Sequence, residues 1–344
     1  MITKIGLDLG YANITLSNVT AEVYREPSVA LVDENSRRVL AVGNSAVSGN
    51  DSGMSRSGVL VRPFKNGLLY SSELTRDIIK NAFKAVSGAE KIRCVIALPS
   101  DFIPKQENEV FKMLSEAGVN ESYSVIPSVA ALIGAGYSPS ISAVSVNIGA
   151  AFTEMALLHD GKVIASKRVE IGGEDFDKAV KEYIYEQGGM TVSLLVARTI
   201  KEQLGAVWQG RENESIDIEG TLSLTGNRVK MTISTEDIVG VFEKPIQKLL
   251  GYVADFVKKI PIDIVKDVFE NGIVLTGGGA QLYGLETLMN KVFGISVTKP
   301  AVPIDCVSKG LARINAFMPV KMKNNNKNVT DQLVKFYDTT KDKK

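Results

Sequence analysis

Short aliphatic runs alternate with turn residues at the start of the chain, and this pattern then gives way to strand–helix pairs. Ile5-Gly-Leu-Asp-Leu-Gly-Tyr-Ala-Asn13, followed by Ile14-Thr-Leu-Ser, predicts a β-hairpin with a carboxylate at the end of its first strand. Val144-Ser-Val-Asn-Ile-Gly-Ala-Ala-Phe152, followed by Thr153-Glu-Met-Ala-Leu-Leu, predicts a second hairpin with a carboxamide in that place. A glycine in each turn lets another group approach the backbone, and successive turn amides form an anion-binding concavity. Two such turns in register can clamp a polyphosphate. Taken alone, the pair is equally compatible with two unrelated hairpins.

Between and beyond the hairpins the periodicity predicts further elements. Short strands are expected at Ser28–Val32 and Arg38–Val42, and a mobile Ser/Gly-rich loop at Ser45–Gly58. Leu74, Ile78, Ile79, Ala82 and Phe83 fall on one face of a helix over Leu74–Val86. The wholly apolar run Cys94–Leu98 predicts a central strand covered on both sides. Helix 104–117, strand 123–126 and a small-residue helix at Val129–Gly136 follow. The second half predicts a return strand at 162–171, helices at Phe176–Tyr185 and Val192–Leu204, and a hairpin over 216–233. Ser234-Thr-Glu-Asp237 has the form of a helix N-cap with an acidic first turn, opening one long helix Ile238–Lys258. Gly272-Ile-Val-Leu-Thr-Gly-Gly-Gly-Ala280 is a buried strand ending in three glycines, with a helix at Leu285–Phe293 beyond it. Lys321–Asn328 has the composition of a linker. Val329–Lys344 is expected as a disordered tail, with one or two amphipathic turns through Leu333, Val334, Phe336 and Tyr337 as the alternative.

Composition narrows the function. At 344 residues the chain has room for two domains with separate cores. A formal net charge of +1 gives no global field toward nucleic acid. The two cysteines, Cys94 and Cys306, sit in apolar surroundings and read as buried free thiols. The single histidine, His159, precedes Asp160-Gly161 and marks a hairpin end, so a zinc site or a histidine-based triad is not expected. Met1-Ile-Thr-Lys runs directly into the first strand without the pattern of a signal peptide, and no apolar stretch has membrane-spanning length. A cytoplasmic protein is the expectation, with peripheral placement at the inner face of the cell membrane left open.

Two hairpins, a connecting helix, a helix near Lys201-Glu202 and a glycine turn at 277–279 form an ordered pattern. It resembles the actin, heat-shock chaperone and sugar-kinase superfamily, and within it the MreB family of bacterial actins. The resemblance rests on Asp8-Leu-Gly-x-Ala-Asn13, Glu26-Pro-Ser-Val29, Arg62-Pro-Phe-Lys-Asn-Gly67, Ala130–Gly136, Arg168–Asp177, Ile200-Lys-Glu-Gln-Leu-Gly205 and Gly272–Leu285. It implies an α/β fold of duplicated ribonuclease-H-like domains, each a mixed five-stranded sheet flanked by helices, around a nucleotide cleft. Domain I would span 1–140 with a small subdomain inserted at about 21–64. Domain II would span 141–318 with one at about 186–236, leaving a polar tail at 319–344.

Carried over position by position, the resemblance implies ATP or ADP with Mg²⁺. Asp8 would act on the metal through water. Gly10, Tyr11, Ala12 and Asn13 would form the first phosphate loop, and Asn147, Gly149, Ala150, Ala151 and Thr153 the second. Gly172, Gly173, Lys201, Glu202, Gly277, Gly278 and Gly279 would face ribose and adenine. The chain also departs from the pattern. The family has Asp-Ile-Gly-Gly-Gly-Thr-Thr-Glu where this chain has Asn147-Ile-Gly-Ala-Ala-Phe-Thr-Glu154, so a neutral amide replaces a carboxylate beside the metal. Ile126 and Pro127 stand where the family carries two glutamates ahead of the small-residue helix, the second of which orients the attacking water. Neither side chain holds a water or accepts a proton, so weak or absent hydrolysis is expected.

The implied function is a filament-forming cytoskeletal protein of cell shape or intracellular organisation. Its partners would be itself, a paralogous MreB and a membrane-protein scaffold. Alternatives are an active ATPase using Glu154 or Asp175, or a non-filamentous adaptor of the FtsA or pilus-assembly kind. Relatives attach to membranes by an N-terminal amphipathic helix or an apolar loop. Neither is visible, since Val86–Lys91 lacks a bulky apolar pair. Direct membrane binding is therefore expected to be weak, or to run through the lysine-rich tail.

Overall fold

A computed structural model describes residues 2–51, 58–65, 68–69, 71–319, 322 and 327–341. Part of the expected Ser45–Gly58 loop, Asn66-Gly67 of the Arg62 motif, most of the 321–328 linker and the last three residues lie outside the described residues.

Two five-stranded sheets with the same strand plan form the frame. In the first, Ile2–Leu9 lies between antiparallel Asn13–Ser17 and parallel Lys91–Ala97, with Glu22–Pro27 and Glu121–Val125 at the two edges. In the second, Ala143–Ile148 lies between antiparallel Thr153–His159 and parallel Ile273–Thr276, with Lys162–Val169 and Val297–Thr298 at the edges. The hairpins occupy equivalent places: Asp8 pairs with Thr15 in one and Asn147 with Glu154 in the other. Each half also carries a three-stranded sheet. Ala30–Asp33 is central to the first, and Ser215–Leu222 to the second. Glu22–Pro27 pairs in the large sheet, so the small one begins only at Ala30.

The halves are joined by two helices that touch through backbone. Pro127–Gly134 follows the first sheet and packs on the second, while Cys306–Phe317 follows the second sheet and packs on the first. They share one apolar cluster with Val95 and Val125 from one sheet and Ala156, Leu158 and Val274 from the other. A Cβ placed on Gly134 would lie 1.7 Å from the Cys306 carbonyl oxygen, and one on Gly310 would lie 1.8 Å from that of Ala130. Both positions therefore exclude any side chain. Beneath this crossing the fully buried Arg93 donates through Nε to Asn315 Oδ1 at 3.0 Å and through Nη1 to the Pro319 carbonyl at 2.7 Å.

Three expectations are corrected. Gly43–Asp51, which overlaps the expected mobile loop from Ser45 onward, is a helix, because Ala46 is buried against Val29 and Leu31. The single helix Ile238–Lys258 is two, Thr235–Val241 and Glu243–Val257. Pro245 lacks the N–H that would have bonded Val241, so the ladder breaks at Phe242. Its expected opening stands, with Ser234 Oγ accepting the Asp237 N–H at 3.3 Å.

The third correction is the tail. Residues 327–341 form an ordered strap ending in the helix Leu333–Lys341, with Val329, Leu333 and Phe336 buried. The Ser124 N–H donates to the Lys327 carbonyl at 2.9 Å and the Val329 N–H to the Ser124 carbonyl at 3.0 Å, adding a short parallel bridge to the edge strand. Val334 packs directly over Gly161, in the turn between Thr153–His159 and Lys162–Val169. Tyr337 meets Phe317 edge-to-face at 5.3 Å. One segment thus touches both halves.

Gly310→Ala is expected to destabilise the protein by about 3 kcal/mol, near the upper end for overpacking, because backbone must move on both sides. An unchanged urea midpoint would remove the close-contact account. Phe336→Ala is expected to cost roughly 3 kcal/mol by emptying the strap's anchor; a thermal midpoint equal to that of the parent would show the strap to be undocked in solution.

Candidate functional site

A cleft of about 640 Å³ opens between the halves, walled by both hairpin turns. Of the expected residues, Asp8, Gly10, Tyr11, Ala12 and Asn13 line it from the first half, and Pro127 from the start of its helix. Asn147, Gly149, Ala150, Gly173, Lys201, Glu202, Gly277, Gly278 and Gly279 line it from the second. Gly277 has φ +84°, and a Cβ there would lie 2.3 Å from the Ile148 carbonyl oxygen, so the glycine turn rests directly on the second hairpin.

Four expected residues stand behind the wall. Thr153 is buried and its hydroxyl donates to the Ile171 carbonyl at 2.8 Å. Gly172 and Ala151 pack backbone to backbone, and the Gly172 N–H donates to Asp175 Oδ2 at 2.9 Å. Ile126 packs into the apolar cluster of the crossing helices, with its N–H directed to Thr330 Oγ1 at 3.3 Å. Lys201 reaches the cleft, but its ammonium is held by Asp177 at 2.6 Å and by the Gly173 carbonyl at 3.0 Å.

The wall also holds Phe152 of the second loop, and it adds Arg25, Glu174, Asp177 and Arg198, to which the sequence assigns no site role. Arg62 joins them; its motif was noted, but not its position. It donates through Nη1 to the Tyr11 carbonyl at 2.8 Å, lies 5.0 Å from the Tyr11 ring centroid and faces Glu174 across the cleft at 3.9 Å. Outside the cleft wall, Arg168 of the second half makes a forked pair with Asp101 of the first, at 2.6 Å for the shortest contact, and lies over the Phe152 ring. Arg25 bridges to Asp305 at 2.7 Å. These long-range pairs carry no periodic signal in the sequence.

Burial dominates the electrostatics. It pushes the Asp8 carboxyl up to about 6 against the opposing pull of Arg25. Burial, and then the Glu174 carboxylate, raise the Tyr11 phenol. Desolvation likewise raises Asp177, opposed by Lys201. Glu154 is fully buried. Its Oε1 accepts the Ser100 N–H at 3.0 Å, and Oε2 meets no hydrogen-bond partner among the described residues. Burial pushes its carboxyl up to about 7.

The model of the MreB/Mbl protein family matches residues 2–323. The chain belongs to the MreB/Mbl family. The cell shape-determining protein Mbl of Bacillus cereus is 28% identical over 316 residues, covering 89% of this chain and 93% of its own. The cell shape-determining protein MreB of Escherichia coli K12 is 28% identical over 320 residues, with 89% and 91% covered. MreB5 of Spiroplasma citri, in a crystal structure with ADP, superposes with a TM-score of 0.84 at 22% identity, over 89% of this chain and 94% of its own. A subunit of the MamK double helical filament superposes with a TM-score of 0.79 at 20% identity, over 93% and 100%. The actin-like fold expected from the sequence is thus shown.

In this MreB/Mbl protein neither carboxylate considered as a replacement base lies on the cleft wall. Glu154 is sealed beneath the second hairpin, and Asp175 caps its own helix. No helix among the described residues is long and apolar enough to cross a membrane.

Glu154 gives a pH test. Its unfolded carboxyl ionises near 4.5 and the folded one near 7, so ionisation between those values favours the unfolded chain. Stability falls as pH rises through that window and stays reduced above it. Glu154→Gln is expected to be more stable than the parent by roughly 2–3 kcal/mol at about pH 8, with the gap closing toward about pH 4. A pH-independent difference in denaturation midpoint would refute the buried-carboxyl account.

Proposed function

We propose that this MreB/Mbl protein is a filament-forming bacterial actin that binds adenine nucleotide and acts in cell shape or intracellular organisation, by assembly rather than by ATP turnover. The observation that carries this reading is Pro127 on the cleft wall, where the family pattern has the water-orienting glutamate. A prolyl ring offers neither a proton acceptor nor an N–H, whereas a positioned acid–base side chain contributes about 10²–10⁴-fold. The clamp around it is retained: both hairpin turns, the glycine turn and the helix bearing Lys201 wall one cleft. Two observations on proteins of the same fold support the reading. MreB5 of Spiroplasma citri binds ADP and AMPPNP, and MamK forms a double helical filament.

The proposed domains are the two halves around the crossing helices, with the interdomain cleft as the nucleotide site. Tyr11, Gly149 and Ala150 would meet phosphates, and Glu202 with Gly277–Gly279 would meet ribose and base. Self-association is the proposed primary partnership, with a paralogous MreB or a membrane-protein scaffold as further partners. Attachment at the membrane would depend on those partners.

Purified protein is expected to sediment as filaments visible by electron microscopy. Its phosphate release should run at least about 10²-fold below that of Escherichia coli MreB under the same conditions. Pro127→Glu is expected to raise turnover by about tenfold or more without weakening sedimentation. Turnover equal to that of Escherichia coli MreB in the parent protein would overturn the reading of Pro127. A protein that stays monomeric at high concentration would overturn assembly.

A further inference from the structure

We infer that nucleotide binding in this cleft does not require a divalent cation, the polyphosphate being held by hairpin amides, the Asn147 carboxamide and Arg62. The inference rests on the proposed nucleotide site and concerns how that site recognises phosphate. Mg²⁺ demands near-octahedral oxygen ligands and is usually fixed by one or two carboxylates together with phosphate oxygens and water. The family resemblance places that duty on Asp8 and on the residue at position 147.

Asp8 keeps one carboxylate on the wall, and position 147 supplies no second one. Asn147 Oδ1, its only oxygen, accepts from Thr276 Oγ1 at 3.3 Å and lies against the glycine turn, where a Cβ on Gly277 would come within 2.8 Å of it. The side chain is 8% exposed, so it has little room to turn. What remains for the cleft is the Nδ2 amide, which donates hydrogen bonds and does not ligate a hard cation. Such a donor suits a phosphate oxygen.

Two of the other wall carboxylates are occupied by cations, Asp177 by Lys201 at 2.6 Å and Glu202 by Arg198 at 2.8 Å, while Glu174 stands 3.9 Å from Arg62. No group of three or more acidic, histidine or cysteine side chains among the described residues is arranged to hold a metal. Arg62 supplies positive charge instead. Among the described residues only its Nη1 donates a hydrogen bond, to the Tyr11 carbonyl, and its Glu174 contact is long, so N–H donors of the guanidinium remain for a ligand beside the first loop.

The test is the affinity of the full-length protein for ATP, measured by calorimetry in excess MgCl₂ and again in EDTA. The parent protein is expected to bind equally in both buffers, within about twofold. Asn147→Asp is expected to create a metal requirement, binding about tenfold or more weakly in EDTA than in MgCl₂. Arg62→Ala should weaken binding to a similar degree in both. A tenfold or greater loss for the parent protein in EDTA overturns this inference and leaves the nucleotide reading intact. Absence of saturable ATP binding in either buffer overturns the nucleotide reading and this inference with it.

Discussion

The contact between Gly134–Cys306 and Gly310–Ala130 governs the geometry of the rest. Two helices that approach to backbone distance cannot slide or separate without opening a void along their whole length, since interiors are close-packed. Each helix belongs by sequence to one half and by packing to the other, so the pair works as both joint and spacer. The first turn of each opens onto the cleft, where Pro127 and Val307 form part of its wall. The distance between the hairpin turns is therefore set by a glycine contact behind them, and a ligand between the turns meets walls already in place.

Around that joint the halves are tied at three further points: Arg168–Asp101, Arg25–Asp305 and Arg62–Glu174. Partly exposed ion pairs contribute about 0–1 kcal/mol each, so their role is alignment more than stability. The pairs differ in length: the forked Arg168–Asp101 contact is 2.6 Å at its shortest, and Arg62–Glu174 spans 3.9 Å.

What could be read in the sequence follows how local its cause is. The hairpins at Asp8 and Asn147, the glycine turn at 277–279 and the Ser234 cap are set by neighbouring residues, and the structure has all of them. The helix Gly43–Asp51 depends on one alanine finding Val29 and Leu31, which Ser/Gly-rich composition conceals. Cys306–Phe317 was not among the expected elements. It buries polar and small residues, Ser308, Gly310, Ala312 and Asn315, beside its apolar ones, so the apolar positions alone do not trace its buried surface. The strap at 327–341 is held by Ser124, Gly161 and Phe317, the first two far away in the chain. At the site, position alone could be carried over from the family pattern. The turning of Lys201 toward Asp177 and the sealing of Thr153 behind the wall depend on tertiary neighbours.

The strap and the missing glutamates belong to the same stretch of structure. Ile126 packs in the joint's apolar cluster, which also holds Val125, Val329 and Leu333, and its N–H points to Thr330. Ile126 is partly buried, and a carboxylate there would border that apolar patch with no cation described beside it, at a desolvation cost. Position 127 is itself buried, with one face on the cleft wall, and a prolyl ring suits the first turn of the helix, where no N–H is needed. Docking of the C-terminal segment and the apolar residue at 126 thus form one packing solution. A chain that keeps its joint and fills the back of it with its own tail fixes two halves around one cleft.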